Sequence, residues 1–414
     1  VEIAFFSDSY LPTHDGVATV VSSLARELQR LGHGVRVFAP HPVVGASPME
    51  EMIDGVEVVR ARSVPVPLYG QYRWAVFPFR QLQGRGLGRE VDILHLHTPG
   101  IMGSVAFLAA RRFRKPLVGT FHTNVWEMRK SFPGDAVVRL FFRAAWWYTL
   151  GTYWRCDITT APTAEAAATL EAATKKRFRR PVEVVPNGIE VERFRPGVSA
   201  PDWRTRCGLP RVPLVTYLGR LTTDKGVHRF LDAVDTVART RPIAAVVGGA
   251  GPEEPSVRRR LAEERLHRVA RYVGPVAEEE KPSLLAQSDL FVLPSTSDTS
   301  SLSILEAMAS GAACIASDRG GLPDVVQQSI TGRVVPLDPP GALVDAITGL
   351  LDDPRERARL GAAGRAWVVR EASITATARR FISLYELLLS GEPRRDRIRA
   401  TAAGAARPYR SLGG

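Results

Sequence analysis

Short apolar, strand-like runs alternate with helical periodicity from one end of the chain to the other, and near the middle this rhythm breaks and restarts. The first half carries Val1–Phe6, Val35–Phe38, Ile93–Leu96 and Leu117–Phe121, with a helical pattern over Val20–Arg30. The second carries Val212–Leu218, Ala244–Val247, Val269–Val273, Leu290–Leu293 and Ala313–Ala316. Alternation of this kind predicts an α/β chain, with parallel sheets covered by helices on both faces. Its restart predicts two such sheets.

The break is Pro186-Asn-Gly-Ile-Glu-Val-Glu-Arg-Phe-Arg-Pro196-Gly, where turn formers and prolines replace the pattern, so a linker ends near Gly197. The chain divides into residues 1–197, residues 198–372, a last helix over 373–389 that can cross back to the first domain, and a basic tail over 390–414. The tail has no apolar periodicity and is expected to be mobile. A length of 414 residues suits two domains. Cys156, Cys207 and Cys314 have neither paired spacing nor histidine neighbours, which points to a cytoplasmic protein without disulfides or zinc. No apolar run is long enough to span a membrane, and because the sequence does not begin with methionine a trimmed leader stays open.

The net charge of +12 suits a polyanionic partner such as a nucleotide diphosphate or an acidic lipid surface. Arginines in helical surface patterns and in the tail Arg394–Arg410 can equally serve solubility. No compact basic recognition helix or aromatic platform accompanies the charge, so nucleic acid is not expected as a partner.

Four loops could carry chemistry. Ser7-Asp-Ser-Tyr-Leu-Pro-Thr-His-Asp-Gly16 follows the first strand, and a glycine there lets backbone approach a phosphate; an ordinary strand-to-helix turn reads equally well. Gly219-Arg220-Leu-Thr-Thr-Asp-Lys225-Gly226 places two cations in a loop entering a helix, where both can face one diphosphate or simply be solvated. Val246-Val-Gly248-Gly249-Ala-Gly251-Pro252 closes a strand, either for a ribose or base lying against backbone or for a tight turn. In Pro294-Ser-Thr-Ser-Asp298-Thr-Ser-Ser-Leu302-Ser303-Ile-Leu-Glu306, Ser300–Ser303 can cap and begin a helix. Asp298 and Glu306 can then accept hydroxyl hydrogen bonds from a sugar and a ribose, or merely complement a helix dipole.

Three histidines complete the candidates. His122 follows a buried-looking strand and should emerge at a cleft edge, with a satisfied core histidine as the competing reading. His95 and His97 alternate and point to one face, as metal ligands do, but no third ligand is spaced to join them, and no metal is expected.

In their order along the chain these motifs resemble those of glycosyltransferase family 4, retaining enzymes of the GT-B fold in which two Rossmann-like, doubly wound domains face a central cleft. The resemblance runs to about Leu389 and includes the Gly16 loop, His122, Pro186-Asn187-Gly188-Ile189, the Gly-Arg…Lys-Gly motif, the Gly248–Gly251 cluster and the carboxylate pair. It implies that Arg220 and Lys225 clamp a diphosphate, Glu306 holds the ribose, Asp298 meets the sugar, and His122 lies near the sugar's C6 hydroxyl. Gly16 would stand behind the diphosphate, and Gly219 and Gly249 would be among the residues that bind the donor. Backbone at Leu302 and Ser303 would donate to phosphate, and Val276 would meet the base through its main chain.

Two departures matter. The first carboxylate is commonly glutamate and is Asp298 here, a variant associated with some GDP-mannose-dependent members. Ser300-Ser301 replaces a Phe-Gly pair, so a backbone needing positive φ would be strained there. The expected activity is retaining hexose transfer from a UDP- or GDP-linked donor to a lipid or small-molecule hydroxyl, with no cofactor and no metal, the donor being a substrate. The alternative is a nucleotide-sugar-binding protein with degenerate catalysis. Aromatics within Trp126–Trp154, namely Phe141, Phe142, Trp146, Trp147 and Tyr148, lie beside Arg139 and Arg143. They could rest on the inner face of an anionic membrane, but burial in the first core is the expectation.

Overall fold

The opening run, apolar at every position after Glu2, folds as β1 (Glu2–Phe6) at the centre of an eight-stranded sheet, with Ile3 to Phe6 buried. In the computed structural model, residues 1–13, 15–66, 69–83, 87, 90–122, 136–174, 178–198 and 202–390 are described. The basic tail after 390 and the start of the aromatic stretch at Trp126 lie outside the described residues.

After β1 come α1 (Gly16–Arg30) and β2 (Gly34–Pro40), then two hairpins, β3 (Met49–Ile53) with β4 (Val56–Ala61) and β5 (Ser63–Val66) with β6 (Tyr69–Ala75). The domain continues through β7 (Ile93–Leu96), α2 (Ile101–Phe113), β8 (Leu117–Thr120), α3 (Ala136–Tyr153), β9 (Ile158–Ala161), α4 (Ala164–Ala173) and β10 (Glu183–Val184). Its sheet runs β10-β9-β8-β7-β1-β2-β4-β3, parallel except where β3 meets β4.

The second domain contains β11 (Leu214–Leu218), α5 (Val227–Val237), β12 (Ala244–Gly248), β13 (Ala270–Tyr272), β14 (Leu290–Leu293), α6 (Leu302–Ala309), β15 (Ala313–Ser317) and β16 (Gly332–Val335). Its sheet, β13-β12-β11-β14-β15-β16, is wholly parallel. α7 (Pro354–Glu371) then leads into α8 (Ile374–Leu389). In each sheet the order of succession reverses beside the first strand, between β1 and β7 and between β11 and β14. Crossovers leave such a point toward opposite faces, and the crevice they open at the carboxyl ends of the strands is where ligands bind in this architecture.

α8 does not stay with the second domain. Its residues Ile374, Ala378, Phe381 and Tyr385 pack into the same core as Ile3 and Phe5 of β1 and Val21 and Leu24 of α1. The chain thus crosses between domains twice, and the crossings are bonded side by side: Ile189 N donates to Ala372 O and Ile374 N to Ile189 O, both at 2.8 Å. A side chain at Gly188 would come within 2.8 Å of the Ile374 backbone, which accounts for the glycine of the Asn187-Gly188 pair.

One expectation is corrected. On α3, Phe142 is buried and Trp146 partly so, but Phe141 and Trp147 are 51% and 52% exposed and Leu140 67%. Exposed Leu140, Ala144, Trp147 and Tyr148 recur at intervals of four, three and one, so they share one face of the helix, beside exposed Arg139 and Arg143. These aromatics could not all be core, because only one side of an eighteen-residue helix meets the sheet.

Candidate functional site

The loops that diverge at the second switch point are those after β11 and β14, and they carry the cations and the first carboxylate. Thr296 N donates to Asp224 O at 2.7 Å and the Ser295 hydroxyl to the same carbonyl at 3.0 Å, which ties the two loops together. The result is an ion pair between Lys225 Nζ and Asp298 Oδ2 at 2.6 Å, with side chains only 15% and 8% exposed. Asp298 is also held from behind, its carbonyl accepting from Gly321 N at 2.7 Å. Arg220, on the same loop as Lys225, is exposed and has no ion-pair partner among the described residues.

The glycine cluster has a reason internal to the protein. Gly249 has φ +136°, and a Cβ there would lie 1.8 Å from the Gly219 carbonyl oxygen, so the loop bearing Arg220 can lie against the end of β12 only if position 249 has no side chain. Gly248 likewise abuts Val276, the residue expected to meet the base. This contact is a packing requirement inside the protein, beside the ligand-facing and tight-turn readings of the motif.

α6 starts beside Asp298 and ends the same loop. Its N-cap residue, Ser301, makes no side-chain capping bond, so the first-turn N–H groups around Leu302 and Ser303 stay available to an anion. The feared strain is absent: Ser301 has φ −84°, and Ser300 is not among the positive-φ residues. Ser300 Oγ is instead buried with no hydrogen-bond partner among the described residues. One turn further on, Glu306 is 4% exposed, and its carboxylate makes no hydrogen bond among the described residues. Burial pushes its pKa up, opposed by the charges of Lys281 and Arg193 and reinforced by Glu278. A carboxylate largely withdrawn from water, with no partner among the described residues, is suited to accepting from a diol brought by a ligand.

Across from these groups stands the first domain. A Cβ on Gly16 would lie 3.6 Å from Leu302 Cδ1, so the glycine loop faces the start of α6. Asp15 caps α1 by accepting from Ala18 N at 2.8 Å. His122 lies just past β8, partly exposed, with Nε2 3.1 Å from His97 Nδ1; burial lowers its pKa to about 4, so the ring is neutral. None of its hydrogen bonds among the described residues reaches the second domain. The site thus gathers Lys225 with Asp298, Gly219 with Gly249, and Gly16 with Leu302, and leaves His122 on the opposing wall.

Sequence reasoning missed the contacts that hold the two walls together. The Thr163 hydroxyl donates to Thr299 O at 2.9 Å and Glu165 N to Asp324 Oδ2 at 2.8 Å. Thr163 also N-caps α4, and that Thr-x-x N-cap pattern was the only local signal. Asp8 was overlooked as well: it accepts from the Thr98 hydroxyl at 2.6 Å and from Met102 N at the start of α2, and burial raises its pKa to about 6.

Two family models match the chain, one described as Glycosyltransferase Family 4 over residues 14–193 and one as Glycosyl transferases group 1 over residues 203–367. A GDP-mannose-dependent alpha-mannosyltransferase of Mycolicibacterium smegmatis is 30% identical over 366 residues, covering 88% of this chain and 92% of that protein. A phosphatidyl-myo-inositol mannosyltransferase of Mycobacterium tuberculosis is 28% identical over 382 residues, covering 90% and 93%. Among solved structures, a sucrose-phosphate synthase from Thermosynechococcus elongatus superposes with a TM-score of 0.75 over 94% of this chain and all of that one, at 22% identity, a likeness of fold.

Proposed function

Because the chain belongs to glycosyltransferase family 4, we propose that it transfers mannose from GDP-mannose, with retention at the anomeric carbon, to a hydroxyl of a membrane lipid. It is a glycosyltransferase of the GT-B fold that uses a nucleotide sugar. Donor, stereochemistry and acceptor are the parts we add. The observation that carries the transfer from a diphosphate-linked sugar is the Lys225–Asp298 pair at 2.6 Å, set at the switch point with Arg220 on the same loop and the uncapped start of α6 beside it.

In this reading Arg220, Lys225 and the α6 N–H groups meet the charge that grows on the departing diphosphate, which is where such donors lower a barrier most. Asp298 accepts from sugar hydroxyls and Glu306 from the ribose. The acceptor hydroxyl attacks from the face the diphosphate leaves, and a diphosphate oxygen takes its proton, so no enzyme nucleophile is needed. A guanosine donor is supported by the relatives' dependence on GDP-mannose and by the aspartate at 298. The reading of a binding protein with degenerate catalysis keeps only the Asp298 variant in its favour, since the Ser300-Ser301 backbone is unstrained.

A lipid acceptor is supported by the α3 face, where exposed Leu140, Phe141, Trp147 and Tyr148 lie beside Arg139 and Arg143. It is supported also by the likeness to a phosphatidyl-myo-inositol mannosyltransferase. Among the described residues no helix is long and apolar enough to cross a membrane, so contact would be peripheral.

The test is turnover of GDP-mannose against UDP-hexoses, with and without EDTA. Release of GDP in EDTA, falling by about two to three orders of magnitude in Lys225→Ala, supports the reading. Turnover of UDP-hexoses alone, or full activity in Lys225→Ala, refutes it. Co-sedimentation with anionic vesicles that weakens in Leu140→Glu/Trp147→Glu tests the lipid arm.

A further inference from the structure

Neighbouring strands of the first sheet bring three imidazoles into one row. His95 and His97 point to the same side of β7, with ring centroids 4.1 Å apart, and both are buried. His95 is fully engaged: Nδ1 lies 2.7 Å from the Tyr385 hydroxyl and Nε2 2.7 Å from the Thr120 hydroxyl. His97 is not. Its Nδ1 meets His122 Nε2 at 3.1 Å, while its own Nε2 is buried with no hydrogen-bond partner among the described residues.

A single proton between those two nitrogens settles the protonation of both rings. Burial holds His97 well below its ordinary value and His122 near 4, so each ring is neutral and carries one N–H. A proton on His97 Nε2 would leave a buried donor without an acceptor, which folded proteins avoid more strictly than an unused lone pair. The proton therefore belongs on His97 Nδ1, donated to His122 Nε2. His122 must then hold its own proton on Nδ1, a nitrogen with no partner among the described residues.

We propose that His97 is a positioning residue that fixes His122 as the Nδ1–H tautomer, free to donate to a hydroxyl oxygen of the transferred hexose. The sugar contact rests on the function proposed above; the tautomer does not. Long-range proton–nitrogen correlation spectra of the histidine-labelled full chain, assigned with His122→Gln, test it directly. Expected are a protonated Nδ1 and a bare Nε2 on His122. His97→Asn, which keeps an N–H near the place of Nδ1, should preserve that pattern and the donor kcat/KM. His97→Phe should mix the His122 tautomers and lower kcat/KM about tenfold, the weight of one hydrogen bond, with nucleoside diphosphate affinity unchanged. A His122 proton found on Nε2, or a tautomer indifferent to His97→Phe, overturns the proposal. If His97→Phe does not fold, the parent and His97→Asn spectra still decide it, and a protein that transfers no hexose would sink the function while leaving the tautomer measured.

Discussion

Glu306 is a carboxylate 4% exposed with no hydrogen bond among the described residues, and burial raises its pKa above the ordinary 4.5. For an acid held above its unfolded value, the fold is disfavoured by ionisation: stability falls as pH rises from the unfolded value through the folded one and stays lower beyond. Glu306→Gln should therefore raise Tm by roughly 2–4 °C at pH 7, the effect of about 1 kcal/mol in a domain of this size, and the gain should vanish near pH 4. Calorimetry across that range checks it, and an equal or lower Tm at pH 7 would show that Glu306 is not a liability to the fold. The same variant should lose most of the stabilisation that GDP confers on the parent. The residue was legible in the sequence as a helix-start carboxylate, but its isolation was not, because the charged groups that surround it, Lys281, Glu278 and Arg193, arrive from other parts of the chain. The histidines teach the same lesson: alternation placed His95 and His97 on one side, yet the hydroxyl that engages His95 belongs to Tyr385, on a helix of the far C-terminus.

Buried parallel strands announce themselves, since a run such as Leu290–Leu293 has no solvent face and leaves no polar alternation to misread. The β3–β4 hairpin was passed over even though Asp54-Gly55, both with positive φ, is a hairpin-turn signature, because Met49–Ile53 is an exposed edge strand with weak patterning. α3 was misjudged for the opposite reason: aromatic content alone cannot say which side of a helix faces the sheet. At the carboxyl end of β12 the sequence offered a ligand-facing and a tight-turn reading of the glycines, and distance adds a packing requirement that neither contained. Gly249→Ala would set a methyl against the Gly219 carbonyl in a backbone region that L residues rarely adopt. Relief requires the loop carrying Arg220 to move, so the variant should lose roughly 1–3 kcal/mol of stability and bind GDP at least about tenfold more weakly. Thermal unfolding and nucleotide titration measure both, and a variant with parental Tm and affinity would mean that the loop is not pinned there.

The two crossings between domains make the molecule asymmetric in its dependence on its own C-terminus. The core of the second domain is assembled from residues between Ile189 and Ala372, and α8 contributes nothing to it. The first domain buries Ile374, Ala378, Phe381 and Tyr385 against β1 and α1, so without α8 it would expose one face of its central strands. A fragment spanning residues 186–372 should accordingly melt cooperatively, and it should still bind GDP, since Arg220, Lys225, Val276, Asp298 and Glu306 all lie within it. A fragment spanning residues 1–197 should be aggregated or molten, and adding back a peptide of residues 373–390 should restore cooperative melting. Circular dichroism melts with isothermal titration separate the cases. Hexose transfer should require both fragments together, because His122 and Gly16 stand on one wall and the charged groups on the other. If residues 1–197 fold stably alone while residues 186–372 do not, the helix is a tether laid on a finished surface, and its place among the core residues of the first domain would have to be reinterpreted as docking rather than folding.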